Sequence, residues 1–524
     1  MSNLVIQLLR FGDVLLMLPF LRSLKNQYPD APIDCMVDER YVEWVQRSGV
    51  VRDVIGIPLR QWIRDVRDPT CPVQDVVTTL MGVVSCLRHT KYRRVFQFDY
   101  HDFPSRLAGS VNADEVTGWY INGSGNRHVS GESICYLAAM SGLYQENRCH
   151  LVDLQLLLVP KRYRLRDSRL QLPTGDIQWA KDRLFTLGQG KKIIICHLTA
   201  SERTKTLGPK VMRNVVQRLQ VSTRLTWVVT GSKQDQSYAR ELTAGFSDEI
   251  VNLVGKTTLT QLGALFLEAD HLVTSDSGPM HLATALGKRV TTISVGRSAF
   301  GLFGPFGEGQ SVIRAKAPIE KIDENGYLDV VNAEMVEELA EIVRRELWDE
   351  SSNGGKFWQT YRTGFDRKGY WMLSPSAGVE LDPLEVERSA IRDALLEQFE
   401  SGQVPVTSEP LVPGVEHPLA DLAGVFHRLS GACADLLVSP SVIVMKEVQQ
   451  LMDRLQHWAL TPSQLLAALF LLKIDLVTAI GPTKNLQHAE KLASSYAQLC
   501  RFALDRYNNA LSQLTISSAV DGSR

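Results

Sequence analysis

Short β-rich runs alternate with segments of helical period from the start of the chain. Leu4–Leu9, Ile33–Val37, Val51–Ile57 and Arg94–Phe98 read as strands, and Val14–Gln27 has helical spacing. The first runs lack polar alternation, as strands covered on both faces do, so a parallel βαβ sheet is predicted. From Lys191 to about Lys316 the pattern recurs more regularly. Strands are predicted at Ile193–His197, Leu225–Thr230, Ile250–Val254, His271–Thr274 and Val290–Val295, with helices such as Val211–Leu219 and Leu259–Leu267 between them. A second parallel sheet follows.

The basic, Pro-flanked stretch from Pro160 to Arg166 separates the two patterns, and Ser351-Ser352-Asn353-Gly354-Gly355 reads as a break after the second. Beyond it the period is helical. Asp382-Pro383 is an N-cap followed by proline at the first helical position, with Ile391, Leu395 and Phe399 recurring after it. Val444, Val448, Leu451, Leu455 and Trp458 form one stripe, and Thr461-Pro462-Ser463-Gln464 is a capping box. Leu492, Tyr496, Leu499 and Ala503 continue the pattern, while Leu465–Leu472 is apolar around most of its circumference, as a central helix or an oligomer contact would be. The expected fold is α/β, two Rossmann-like parallel-sheet domains facing a cleft, plus an all-helical C-terminal domain. Its divisions are 1–165, 166–350, a linker over 351–380, and a helical interaction domain over 381–515.

Composition narrows the function. With 524 residues, 44% of them hydrophobic and 22% charged, the chain is neither a disordered segment nor a multi-span membrane protein. Lys and Arg number 57 against 58 Asp and Glu, so no global field exists for wrapping nucleic acid. Leu465–Ile480 carries Lys473 and Asp475 and falls short of the ~20 residues of a spanning helix. Eight cysteines without a C-x-x-C pair argue against a disulfide framework and against zinc or iron–sulfur sites. Arg10 and Asp13 interrupt the apolar N-terminus and no cleavage site follows, so a cytoplasmic protein is expected.

Chemistry concentrates where predicted strands end. Phe11-Gly12-Asp13-Val14 lies at the carboxyl edge of the first sheet, where ligands bind. The glycine allows close approach to the backbone, and Asp13 either accepts a proton from a hydroxyl or caps its helix. Ser275-Asp276-Ser277-Gly278-Pro279-Met280-His281 opens a helix in the second sheet, where hydroxyls and free N–H groups suit a pyrophosphate. An ordinary capped helix with His281 as a satisfied polar residue is the competing reading. The run from His197 to Lys205 offers the Thr199 and Ser201 hydroxyls and the Lys205 charge to phosphate, or is simply a polar loop. Thr230-Gly231-Ser232-Lys233-Gln234-Asp235 places a carboxylate where a ribose diol would meet it. Arg60 and Arg64, with Arg88, Lys91, Arg93 and Arg94 further on, form either a patch for an anionic acceptor or a solvated charged face. There is no Walker loop, no G-x-G-x-x-G after a strand and no H-E-x-x-H.

Gly12-Asp13-Val14-Leu15-Leu16 with Pro19 and Tyr28-Pro29, Leu253-Val254-Gly255-Lys256-Thr257 with Leu259, and Ser275 through Gly287 occur in order and at suitable spacing. Together they resemble the ADP-heptose:lipopolysaccharide heptosyltransferases, inverting glycosyltransferases of the GT-B fold, over roughly Asn3 to Leu347. The resemblance implies an N-terminal acceptor domain and a second, nucleotide-sugar-binding domain. It makes Asp13 the general base. Thr199, Lys205, Ser277 and Gly278 would bind the diphosphate, Asp276 the donor sugar, Asp235 the ribose, and Arg60 and Arg64 the acceptor. Gly12, Ser201 and His281 complete the expected donor set. No metal and no cofactor are called for, the donor being a nucleotide-diphosphate sugar such as ADP-heptose. Leu9-Arg10-Phe11 departs from the small polar residues that relatives often carry there, and the chain after about Asn353 has no counterpart in the typical member.

The expected reaction is inverting transfer of a heptose-like sugar to an acceptor hydroxyl on a glycolipid or a protein. Expected partners are the nucleotide sugar, that acceptor, and a second copy or another protein at the helical region, with peripheral contact at the inner membrane face and no nucleic acid. Two alternatives stay open on the residues: a non-catalytic nucleotide-sugar-binding scaffold, and an epimerase on the same fold.

Overall fold

The computed structural model describes residues 2–140, 142–159, 170–188, 190–220, 225–246, 250–330, 332–350, 354–376, 382–401, 417–438, 442–458, 463–464, 466–467, 470 and 482–521. They divide into two compact units, one of residues 1–99, 111–114 and 150–380, the other of 100–110, 115–149 and 381–524.

In the first unit, β1 (Ser2–Gln7), β2 (Ile33–Asp38), β3 (Asp53–Ile57) and β4 (Tyr92–Gln97) run parallel in the order β3-β2-β1-β4. β1 and β2 are buried along their whole length, which is why both read as runs without alternation. Next along the chain, β5 (Ala113–Ile121) and β6 (Arg127–Ser130) pair antiparallel. The second sheet is built from β7 (Lys192–His197), β8 (Leu225–Val229), β9 (Ile250–Asn252), β10 (His271–Ser275), β11 (Val290–Ser294), β12 (Ser311–Ala315), β13 (Trp358–Phe365) and β14 (Trp371–Pro375). Its order is β14-β13-β12-β11-β10-β7-β8-β9, parallel from β12 to β9 and antiparallel for β13 and β14.

Both sheets reverse their winding beside their first strand. β1 lies between β2 and β4, and β7 lies between β8 and β10. Such a switch point leaves a crevice at the carboxyl ends of the two central strands. The helix Phe11–Gln27 after β1 and the helix Gly278–Ala285 after β10 start at these crevices. One apolar cluster joins them, from Val14, Leu18 and Leu21 to Met280 and Leu282.

The structure corrects three expectations. Residues 351–380, read as a linker, carry β13 and β14, which close one side of the second sheet with Trp358 and Trp371 fully buried. Asp366 makes their hairpin by accepting from the amides of Lys368 and Tyr370 ahead of Gly369 at φ 84°. The first helix begins at Phe11 rather than Val14, with Arg10 as an extended N-cap lacking a side-chain bond, so Asp13 sits inside the first turn and does not cap. Finally, residues 1–165 do not form one body, because 100–110 and 115–149 join the helical region.

That second unit is held by buried charge and aromatic contacts. Arg148 pairs with Glu385, and Arg388 joins Glu385 to Glu146. Tyr136 meets Phe399 at 5.8 Å between ring centroids. The helix Pro383–Ser401 starts as expected, with Asp382 Oδ1 accepting from the Leu384 amide at 3.0 Å. The predicted stripes turn inward. Leu451 and Leu455 of Val442–Gln456, and Tyr496, Leu499 and Ala503 of Pro482–Asp521, are buried, and the rings of Phe426, Phe470 and Tyr496 cluster. The linker over 160–166, the first half of the 461–464 capping box and most of 465–480 lie outside the described residues.

Candidate active site

Gly12 and His281 interlock the two crevices. A Cβ on Gly12 would stand 2.7 Å from the His281 ring, closer than real contacts allow. A Cβ on Gly278 would stand 3.7 Å from the Gly12 nitrogen, so the two helix starts approach backbone to backbone. Phe11 anchors the turn from below through Tyr41 and Trp44, with centroid distances of 5.3 and 5.2 Å. Of the Leu9-Arg10-Phe11 departure, Phe11 is thus taken up in packing, whereas Arg10 is exposed and its charge reaches Asp13 and Asp276.

Asp13 points its carboxyl into this junction. Burial pushes its pKa up to about 6, opposed by the charges of Arg10 and Lys205 and reinforced by Asp276. The last two residues come from the second sheet, so the crevices of both sheets share one electrostatic environment. Asp276 is raised by burial as well, against the pull of Lys205 and of the Ser298 hydroxyl, which donates to its Oδ2 at 2.6 Å. Ser294 donates to Ser298 in turn at 2.7 Å, fixing the Asp276 side chain from behind.

The loop carrying Thr199, Ser201 and Lys205 is tied to β10. Ser275 Oγ donates to the Thr199 carbonyl at 3.0 Å and Thr274 Oγ1 to the His197 carbonyl at 2.9 Å. Gly296 lets the loop pass, since a Cβ there would lie 2.0 Å from the Thr204 carbonyl oxygen. Lys205 is mostly buried and lies 3.9 Å from Glu202, a loose pairing that leaves its charge facing Asp13 and Asp276. Thr199 is buried, whereas Ser201 is exposed.

At the helix Gly278–Ala285, Ser277 is the N-cap residue yet makes no capping bond; its hydroxyl turns back to the Ser275 carbonyl at 3.4 Å. Pro279 brings no N–H and the Met280 N–H donates to the Ser277 carbonyl at 3.0 Å, so the Gly278 N–H is the donor of that turn left for an anion. Beside it His281 is buried and held neutral, its pKa lowered to about 4 by burial, and its Nδ1 has no hydrogen-bond partner among the described residues.

Other expected site residues stand apart. Asp235 is engaged at home in a capping box, its Oδ2 accepting from both the amide and the hydroxyl of Ser232 at 2.7 Å. Arg60 and Arg64 are exposed on the helix Leu59–Arg67, with Arg60 within electrostatic reach of Tyr41.

Sequence reasoning missed Asp99. It follows β4 and so occupies the other side of the first switch point. Asp99 is buried and accepts from Gln7 Nε2 and from the Leu8 amide, each at 2.5 Å. Burial raises its pKa to about 8; the Leu8 and Leu9 amides oppose this, while the Asp13 charge adds to it. No motif marks it, but a carboxylate just past a predicted strand beside β1 is the signal that could have found it.

Residues 144–326 match the family described as Glycosyltransferase family 9 (heptosyltransferase). The chain carries a glycosyltransferase family 9 domain. It is similar to lipopolysaccharide heptosyltransferase 3 of Escherichia coli, 22% identical over 288 residues that cover 52% of this chain and 78% of the relative. The corresponding enzyme of strain K12 is 24% identical over 280 residues, covering 52% and 77%. Among solved structures, Escherichia coli ADP-heptose LPS heptosyltransferase II is 19% identical with a TM-score of 0.48, covering 67% of this chain and all of that one. The family 9 protein from Veillonella parvula is 17% identical with a TM-score of 0.48, covering 66% and 97%.

The chain is thus a glycosyltransferase that uses a nucleotide-sugar donor; the family 9 match over residues 144–326 takes in β7 to β12 of the second sheet and leaves the first sheet outside it. Among the described residues, no group of three His, Cys, Asp or Glu is placed to hold a metal ion, and no helix is long and apolar enough to cross a membrane.

Proposed function

We propose that this family 9 glycosyltransferase moves a heptose from an ADP-activated donor to a hydroxyl of a lipid-borne glycan, inverting the anomeric centre. Asp13 removes the acceptor proton. The hydroxyl oxygen then forms the new bond to the anomeric carbon as the bond to the diphosphate breaks on the opposite face. Lys205, the Thr199 and Ser277 hydroxyls and the Gly278 N–H receive the negative charge of the leaving diphosphate. Asp276, itself anionic, is repelled by phosphate and accepts from sugar hydroxyls instead. Gly12 gives the sugar access to the backbone, and His281 supports the helix start as a neutral ring. Asp235 and Ser201 are assigned to the ribose and the outer phosphate edge, and Arg60 and Arg64 to acidic groups of the acceptor. Asp99 acts through Asp13: it fixes the backbone at Leu8, from which the Asp13 turn departs. The reaction takes place at the inner face of the membrane.

The observation that carries this reading is the convergence of Asp13, Lys205 and Asp276 from two sheets on one junction, beside a helix start with an unused cap. The choice of heptose is supported by the similarity to lipopolysaccharide heptosyltransferase 3. Thermal protection by a panel of nucleotide sugars tests it, with ADP-heptose expected to raise the midpoint most. Stronger protection by a uridine or guanosine diphosphate sugar would overturn the assignment, and retention of configuration in the product would overturn the in-line step.

A further inference from the structure

Five of the exposed large apolar side chains fall within residues 63–81: Ile63 at 44%, Val66 at 55%, Val73 at 52%, Val77 at 41% and Met81 at 55%. They belong to two consecutive helices, Leu59–Arg67 and Val73–His89. On the second, Leu87 is buried while Val73, Val77 and Met81 recur every four residues as an outward stripe. A helix of this length would ordinarily bury such a stripe.

The first helix adds charge in a fixed place. Arg60, Arg64 and Arg67 recur at i, i+4 and i+7, so they share one flank beside Ile63, while Asp65 falls on the opposite flank. Trp62 is its only buried residue. Arg88, seven residues beyond Met81, is exposed on the stripe side of the second helix, and none of these four guanidinium groups forms an ion pair among the described residues. Asp68 spends its carboxylate on the Thr70 amide and hydroxyl.

We propose that these two helices are a docking face for an anionic lipid bilayer, on which they lie flat with Val66, Val73, Val77 and Met81 entering the headgroup boundary and Arg67 and Arg88 meeting acidic headgroups, beside the Arg60 and Arg64 assigned to the acceptor. An apolar stripe edged by arginine is the arrangement that holds helices in that plane. A second copy of the chain fits less well, because a two-fold contact would bring the arginine flanks together. This inference is independent of the donor assignment, and its test uses no sugar.

The full chain is floated with vesicles of phosphatidylglycerol and phosphatidylcholine in equal parts, and with vesicles of phosphatidylcholine alone. Binding to the first, weakened by salt and absent from the second, is expected. The V66S/V77S/M81S variant should bind the anionic vesicles at least about tenfold more weakly, and the R67E/R88E variant should lose the preference for acidic lipid. These side chains are exposed, so thermal midpoint and nucleotide affinity should stay at wild-type values. Absence of wild-type binding to anionic vesicles overturns the proposal, as does equal binding by the triple variant. A drop in solution mass on substitution, without a change in vesicle binding, would assign the face to self-association and overturn it too.

Discussion

The junctions after β1 and after β10 are built alike, and they differ in what fills the first turn of the helix. After β1 the turn holds a carboxylate, Asp13, whose pKa is lifted to about 6; after β10 it holds Ser277-Gly278-Pro279 with the cap unused. A carboxylate in a first turn occupies the place an anionic ligand would take, so in the proposed reaction the first junction serves proton transfer and the second serves binding. Under that proposal, two copies of one architectural device acquire opposite tasks from one residue.

The largest test of this contrast is Asp13→Asn. It should lower transfer about 100-fold or more while leaving donor affinity near wild type, as loss of a general base does. Steady-state turnover and calorimetric donor binding measure the two halves, and unchanged turnover would put proton transfer elsewhere. Lys205→Ala comes next: binding of a nucleoside diphosphate should weaken about tenfold or more, the scale of a lost charge-assisted bond, with the nucleoside itself little affected. Equal losses for both ligands would move Lys205 away from phosphate.

The pH profile sharpens the same contrast. Asp13 acts as a base only when ionised, and its pKa in the free protein is raised, so kcat/KM should fall as pH drops through about 6 instead of near the ordinary carboxylate value. In Asp99→Asn the clamp on Leu8 weakens, so kcat should fall further than donor affinity, and the acid limb should move. Loss of both in parallel would make Asp99 merely structural. The smallest effect belongs to Gly12→Ala, which forces His281 aside and should cost about 1–3 kcal/mol of stability, read from the thermal midpoint.

Much of the core of this design was legible beforehand. β1, β2, β7, β8 and β10 were visible because buried parallel strands leave unbroken apolar runs. The junction residues stood out because glycine, hydroxyl and carboxylate side chains recur directly after those runs. What escaped has physical reasons. β13 follows a Gly-rich stretch and carries its large apolar residues at Trp358, Tyr361 and Phe365, so neither an alternation nor an unbroken apolar run marked it as a strand. Asp99 needed the sheet order, since only the pairing of β4 with β1 brings it beside the Asp13 turn. The capping role of Asp235 is a local competition between backbone and ligand that residue type alone does not decide.

The buried pair of Arg148 and Glu385 spans 237 positions of chain. On a ribosome adding residues at ~5–20 per second, Arg148 emerges roughly 10–50 s before its partner exists. Residues 100–149 therefore leave the tunnel without the helices that complete their unit, interleaved with segments that belong to the other one. The late-made C-terminal helices set the moment at which biogenesis finishes. Synthesis stopped just short of Pro383 would release a chain whose Arg148 lacks the Glu385 carboxylate and whose Tyr136 lacks the Phe399 ring, prone to capture by chaperones.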